Sequence, residues 1–181
     1  MISSDRLRMC PPVPDDADDL CGLFADSDTY LIAMAKPHVP SSPDAIRARL
    51  KKYLDEESSP TADIALVVRT SHDPSEFLGI ASVWGIDTYN SLAHLGIALA
   101  AKARRRGFGT EIITALRDYA FRVRNLRRLE LETNATNEGM RRTAEKCGFV
   151  EEGRMRARHY DGDGYVDLVT YGMLREEWRR R

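Results

Sequence analysis

Between Leu95 and Thr110 the chain reads LGIALAAKARRRGFGT: an apolar run, a short connector carrying three successive arginines, then two glycines opening a segment with helical periodicity. These residue types in this order suit an anion. Gly107 and Gly109 leave no side chain where a backbone must come close to a ligand. The N–H groups of Gly107, Phe108, Gly109 and Thr110 would be donors at a helix start, with the helix dipole in their favour. Arg104, Arg105 and Arg106 add positive charge beside them. A pyrophosphate would be held there without a metal. The same glycines would also serve a tight strand-to-helix turn that binds nothing, so the loop alone implies a phosphate near a helix start and no more. A dinucleotide-binding turn needs a third glycine, an acidic residue about 20 positions on and repeated βαβ units, which this region lacks. A P-loop needs Gly-Lys-Ser/Thr, which is absent.

The flanking sequence says what would carry this loop. Leu7 to Val13 reads as a strand closed by Pro11, Pro12 and Pro14, which cannot donate to a ladder. Asp15 or Asp16 caps a short helix with Leu20, Leu23 and Phe24 on one face. Ser42-Pro43 opens another helix, expected to reach about Glu57. Tyr30 to Ser41, with Pro37, His38 and Pro40, has no convincing periodicity and reads as a loop. Ile64 to Val68, Phe77 to Trp84 and Leu92 to Ala100 predict three adjacent strands of an antiparallel meander. From Gly107 the period becomes helical through Val123, then a strand follows at Leu129 to Thr133. Met140, Thr143, Ala144 and Cys147 trace one face of a further helix that Gly148 ends. Phe149 to Tyr160 and Tyr165 to Leu174, around Asp161-Gly162-Asp163-Gly164, predict a terminal hairpin.

Composition narrows the class. With 43% apolar and 30% charged residues the chain has what a packed core needs, and its length suits one domain over residues 1–181. Its 27 basic and 28 acidic residues give a net charge of -1, so no overall field draws nucleic acid or an anionic membrane. Cys10, Cys21 and Cys147 are odd in number and lack CxxC spacing, which argues against a disulfide framework or a zinc cluster. With no stretch near the roughly 18 apolar residues of a membrane span, the expected setting is the cytoplasm.

Two motifs together carry more than either alone. Arg104-x-x-Gly107-x-Gly109 resembles the Arg/Gln-x-x-Gly-x-Gly/Ala signature of the GNAT acetyltransferases. Asn137 followed by Glu145-Lys146-Cys147-Gly148-Phe149 resembles that family's Asn-x(7)-Glu-Lys-x-Gly-Phe helix. Gly153, Arg154, the Tyr160 to Tyr165 turn, Asp167 and Glu177-Trp178 look like the Rim-type ribosomal-protein N-acetyltransferase branch, as does Asp5-Arg6-Leu7-Arg8. The resemblance implies an α/β (α+β) three-layer GNAT fold, a mixed and mostly antiparallel sheet of about seven strands with about four helices. It also implies acetyl-CoA as donor, no metal, direct transfer to a primary amine of a protein N-terminus or small molecule, and a monomer or homodimer.

Carried over by the same resemblance, the pantetheine arm would bond to the backbone of Ile97, Ala98 and Leu99, with Asn137 holding it from the side. A backbone N–H near Leu99 would polarise the acetyl carbonyl. His94 and Glu132 are candidates for the base, though a histidine at a strand start also suits a structural role. The tyrosine that often protonates the leaving thiolate falls at Ala144, and a serine of Rim-type relatives falls at Met140. Neither side chain can donate a proton, which leaves Tyr160 or water as acid and keeps open an acetyl-CoA-binding module without catalysis. Tyr30, His38 and Trp84 would line the acceptor pocket, or else pack loop and core.

Overall fold

A computed structural model describes residues 1–34, 39–55 and 62–180. One eight-stranded sheet runs through them in the order β1-β2-β3-β4-β5-β6-β8-β7. Its strands are β1 (Ile2–Ser3), β2 (Leu7–Cys10), β3 (Ile64–Thr70), β4 (Phe77–Asp87), β5 (Leu92–Leu99), β6 (Arg128–Asn134), β7 (Val150–Tyr160) and β8 (Tyr165–Leu174). The expected meander is β3, β4 and β5, paired antiparallel in sequence order. Only β5 and β6 run parallel, because the helix between them carries the chain back along the sheet. The eighth strand is the short β1, beyond the seven anticipated.

The helices are α1 (Ala17–Ala25), α2 (Ser27–Met34), α3 (Pro43–Asp55), α4 (Phe108–Arg122), α5 (Glu138–Cys147) and α6 (Arg175–Arg179). Ser42 opens α3 as its type suggests, its hydroxyl accepting the Ala45 N–H at 3.2 Å. The expected end at Glu57 lies outside the described residues, as do Pro37 and His38. Tyr30 to Met34, expected as loop, belongs to α2. Its start is fixed by Asp26, whose carbonyl accepts the Tyr30 N–H and whose carboxylate accepts the Thr29 hydroxyl. A cap and tertiary contacts thus build a helix where the apolar period is too weak to announce one.

Strand alternation separates two cores. Leu95 of β5 joins Leu129 and Leu131 of β6 and Ile112, Ile113 and Leu116 of α4 on one face. Ala98 joins Leu20, Leu23 and Ile46 of α1 and α3 on the other. The result is helices, sheet, helices, in three layers. At one edge of the sheet, Glu111 in the first turn of α4 ties the helix to the N-terminal strands, taking the Ser4 hydroxyl at 2.5 Å and the Arg6 Nε–H at 2.8 Å. Burial disfavours this carboxylate, but the bonds from Ser4 and Arg6 outweigh burial and hold its pKa below the ordinary 4.5.

A depressed carboxylate pKa contributes stability above the unfolded-state value and loses it as pH falls through the folded one. Glu111→Gln should therefore cost about 1–2 kcal/mol at pH 7. In urea titrations at pH 7 and pH 4, the gap between wild type and variant narrows at the lower pH; a gap independent of pH refutes this account.

Candidate active site

The parallel ladder between β5 and β6 is short. It pairs Leu92 with Arg128, Ala93 with Leu129 and His94 with Glu130, and then stops. Beyond that point β5 stays on β4 through Gly79↔Leu99, while β6 stays on β8 through Asn134↔Leu168. The two strands therefore part at the middle of the sheet, and each presents an unpaired edge to the opening.

Which groups face the opening follows from the antiparallel alternation. The Ala100 N–H bonds the Leu78 carbonyl at 2.9 Å, so Ala100 and, two residues back, Ala98 turn their N–H and C=O toward β4. Ile97 and Leu99 turn theirs into the opening. Of the three backbone positions expected to bind a ligand arm, Ala98 is thus corrected: its polar groups belong to the β4 ladder with Ile80.

The expected anion loop lies where β5 ends. Arg105 at φ 60 and Gly107 at φ 82 bracket Arg106, a backbone bend of the kind that can gather successive N–H groups into an anion-sized concavity. The first helical bond of α4 is Glu111 N–H to the Gly107 carbonyl, and no side chain caps the helix. Phe108, Gly109 and Thr110 thus keep N–H groups without an intrahelical partner. Gly107 supplies the left-handed conformation that a β-branched residue resists. Gly109 supplies closeness, since a Cβ there would sit 3.4 Å from Ile97 Cδ1 and 3.7 Å from Thr143 Oγ1.

The arginines divide their work. Arg104 is engaged within the fold: its Nε donates to the Leu99 carbonyl at 3.0 Å and its guanidinium to the buried Thr29 hydroxyl, with Asp26 at 3.9 Å. It clamps α2 to the end of β5 and occupies the Leu99 carbonyl, leaving that residue's N–H for the opening. Arg106 stacks on Phe108 with its guanidinium 4.8 Å from the ring centroid and lies 3.4 Å from Glu76. Arg105 is exposed and makes no ion pair among the described residues.

Across the opening, Asn137 caps α5 by accepting the Met140 N–H on Oδ1 at 3.1 Å, and its amide hydrogens have no partner among the described residues. On the sheet face toward α1 and α3, His94 meets two carboxylates of β6. Nε2 lies 3.5 Å from Glu130 and Nδ1 3.7 Å from Glu132, and Nδ1 is buried without a hydrogen-bond partner. The His94 ring stacks on Trp84, centroids 4.3 Å apart, and Trp84 is 40% exposed, so it is a wall rather than core. Arg128 donates to Glu130 at 2.6 Å and forks onto Glu152, whose carboxyl it pulls below the usual range. Tyr160 does not join this group. It is half exposed in the terminal hairpin, and its hydroxyl donates to the Gly162 carbonyl. Ala144 is fully buried and Met140 packs on the core, so neither position brings a hydroxyl to the opening. Tyr30 stands edge-on to Phe24 at 5.8 Å, and His38 lies outside the described residues.

Glu130 escaped sequence reasoning, as did Asn134, whose Oδ1 lies 3.0 Å from His159 Nδ1. The period of two on β6 puts Glu130, Glu132 and Asn134 on one face and was the signal that could have found them.

A split parallel pair thus lies beside a glycine-opened helix start. The model of the acetyltransferase (GNAT) domain matches residues 6–150. The chain belongs to the GNAT acetyltransferase family. GNAT enzymes take the acetyl group from acetyl-CoA. This GNAT chain is 33% identical over 100 residues to the putative ribosomal N-acetyltransferase YdaF of Bacillus subtilis, a match that spans 55% of each protein. It is 23% identical over 177 residues to the uncharacterized N-acetyltransferase p20 of Bacillus licheniformis, across 98% and 97% of the two. The crystal structure of spermidine N-acetyltransferase from Vibrio cholerae, in complex with CoA and spermine, superposes with a TM-score of 0.84 at 20% identity. It covers 97% of this chain and 99% of that one. Among the described residues no cluster of side chains could hold a metal ion, and no helix is long and apolar enough to cross a membrane.

Arg104→Ala should lower the melting temperature by about 3–6 °C, since two charge-assisted bonds are lost, and Arg104→Lys should not restore it because a single ammonium cannot span both acceptors. Thermal melts of the three proteins check this; a lysine variant that melts like wild type overturns the clamp.

Proposed function

We propose that this protein moves an acetyl group from acetyl-CoA directly onto a primary amine. The observation that carries the proposal is the parting of β5 from β6 directly beside the uncapped start of α4. The pyrophosphate lies on the N–H groups of residues 107–110, with Arg105 beside it. The pantetheine arm enters the opening as a short strand that bonds to Ile97 and Leu99, and the Asn137 amide steadies it. The Leu99 N–H then faces the thioester carbonyl and gains strength as negative charge develops on its oxygen.

An alkyl ammonium must lose a proton before it attacks. His94, held between Glu130 and Glu132, is the group proposed to receive it, and because it stands five residues along β5 from Leu99 the proton reaches it through a chain of waters. The acceptor is an amine of a small molecule or of a protein N-terminus; among relatives, one 26% identical over 104 residues is the spermidine N(1)-acetyltransferase of Vibrio cholerae. With Ala144 and Met140 in the core and the Tyr160 proton engaged, water protonates the leaving thiolate. The same absence favours a second reading, an acetyl-CoA-binding module that does not turn over. Thiol release across a panel of peptide and small amines separates the two: background rates with acetyl-CoA bound establish the silent module.

Gly107→Val removes the left-handed conformation that aims the loop's donors, and should weaken acetyl-CoA binding at least about tenfold while the protein remains folded. Calorimetric titration checks this, and unchanged affinity in a folded variant sinks the assignment of the loop.

A further inference from the structure

His159 lies on β7, and β8 stands between it and β6. Its ring nevertheless reaches over β8 to Asn134 at the end of β6, with Nδ1 3.0 Å from Oδ1. Three features build that reach. The β7–β8 register slips between Met155 and His159. Ala157 inside the slip takes φ 47, a conformation alanine resists, and its N–H is held by Asp167 at 2.9 Å. Asn134 is 4% exposed, so its amide is fixed and its oxygen needs a donor. Bulges and strained backbone next to a site commonly re-aim a side chain, and here the side chain re-aimed is an imidazole.

The bond to Asn134 decides what the ring offers. With Oδ1 as acceptor, Nδ1 is the donor, and in the neutral ring Nε2 then keeps a lone pair. Nε2 has no partner among the described residues, and the ring is half-buried. By alternation along β6, Asn134 shares its face with Glu130 and Glu132, the carboxylates beside His94. The terminal hairpin closes toward the same face, since a Cβ at Gly162 in its turn would lie 3.4 Å from Leu31 of α2.

We propose that His159, oriented by Asn134, is a specificity-determining residue of the acceptor site, its Nε2 accepting a hydrogen bond from an N–H of the amine substrate. The inference rests on the acetyl-transfer reading, and adds to it a recognition point on the far side of the opening from His94. Asn134 is a positioning residue that acts through the histidine.

The test is steady-state thiol release from acetyl-CoA by the full chain, with spermidine and, separately, tetra-alanine as acceptors. For whichever acceptor wild type uses, His159→Ala should raise the acceptor KM about tenfold, the worth of a hydrogen bond to a charged group. Its kcat should change less than about threefold and its acetyl-CoA Kd should not move, because the group touches neither donor nor thioester. His159→Gln, which places an acceptor near the Nε2 position, should recover part of the affinity. Asn134→Ala should reproduce the KM increase without adding to that of His159→Ala in the double variant, because the pair acts as one unit. Since Asn134 is buried, melts verify each fold, and the two His159 variants decide the matter alone if that variant does not fold. An acceptor KM within twofold of wild type in active His159→Ala overturns the role of His159 and leaves the transfer reading intact. Wild type that binds acetyl-CoA yet is silent toward these two and the whole panel of peptide and small amines overturns the transfer reading and this inference with it.

Discussion

The structure turns on a ladder that ends early. Two parallel strands share three residue pairs and then separate, each remaining bonded to its outer neighbour. Backbone N–H and C=O groups in a sheet interior need partners, so an opening of this kind is costly unless water or a ligand strand completes it. Everything around it maintains the gap. Gly109 lets α4 sit close on Ile97, Arg104 ties α2 to the end of β5, and Asn137 caps α5 on the other side.

The polar groups on the acceptor face are arranged by the pleat. Because side chains alternate, one strand can give Leu129 and Leu131 to the core and Glu130, Glu132 and Asn134 to the opposite face. Charge there is grouped rather than scattered: Arg128 bridges Glu130 and Glu152, which keeps the acidic recess satisfied at its outer end. His94 sits at the inner end, between two carboxylates and against an indole, at the last residue pair of the β5–β6 ladder.

Much of this was legible from residue types. Gly107, Ser42-Pro43, the period of α4 and the Asp161 to Gly164 turn are local signals, and each produced the element it announces. The helix α2 was not legible, because its start depends on a hydrogen bond from Thr29 to Asp26 and on Arg104, a residue 75 positions from Thr29. Ala98 was misassigned for a related reason. Only the register with β4 tells which of three adjacent residues turns its backbone to the opening.

By itself the sequence determined the order of strands and helices and the glycine-opened start of α4, because turn chemistry and hydrophobic period act over a few residues. Tertiary structure decided which side chains remain available there. Contacts between distant segments gave Arg104 its partners on α2 and brought Glu130 to His94 and His159 to Asn134. A side chain's availability is set by the partners that folding places within about 3–4 Å of it, and spacing along the chain does not encode those partners.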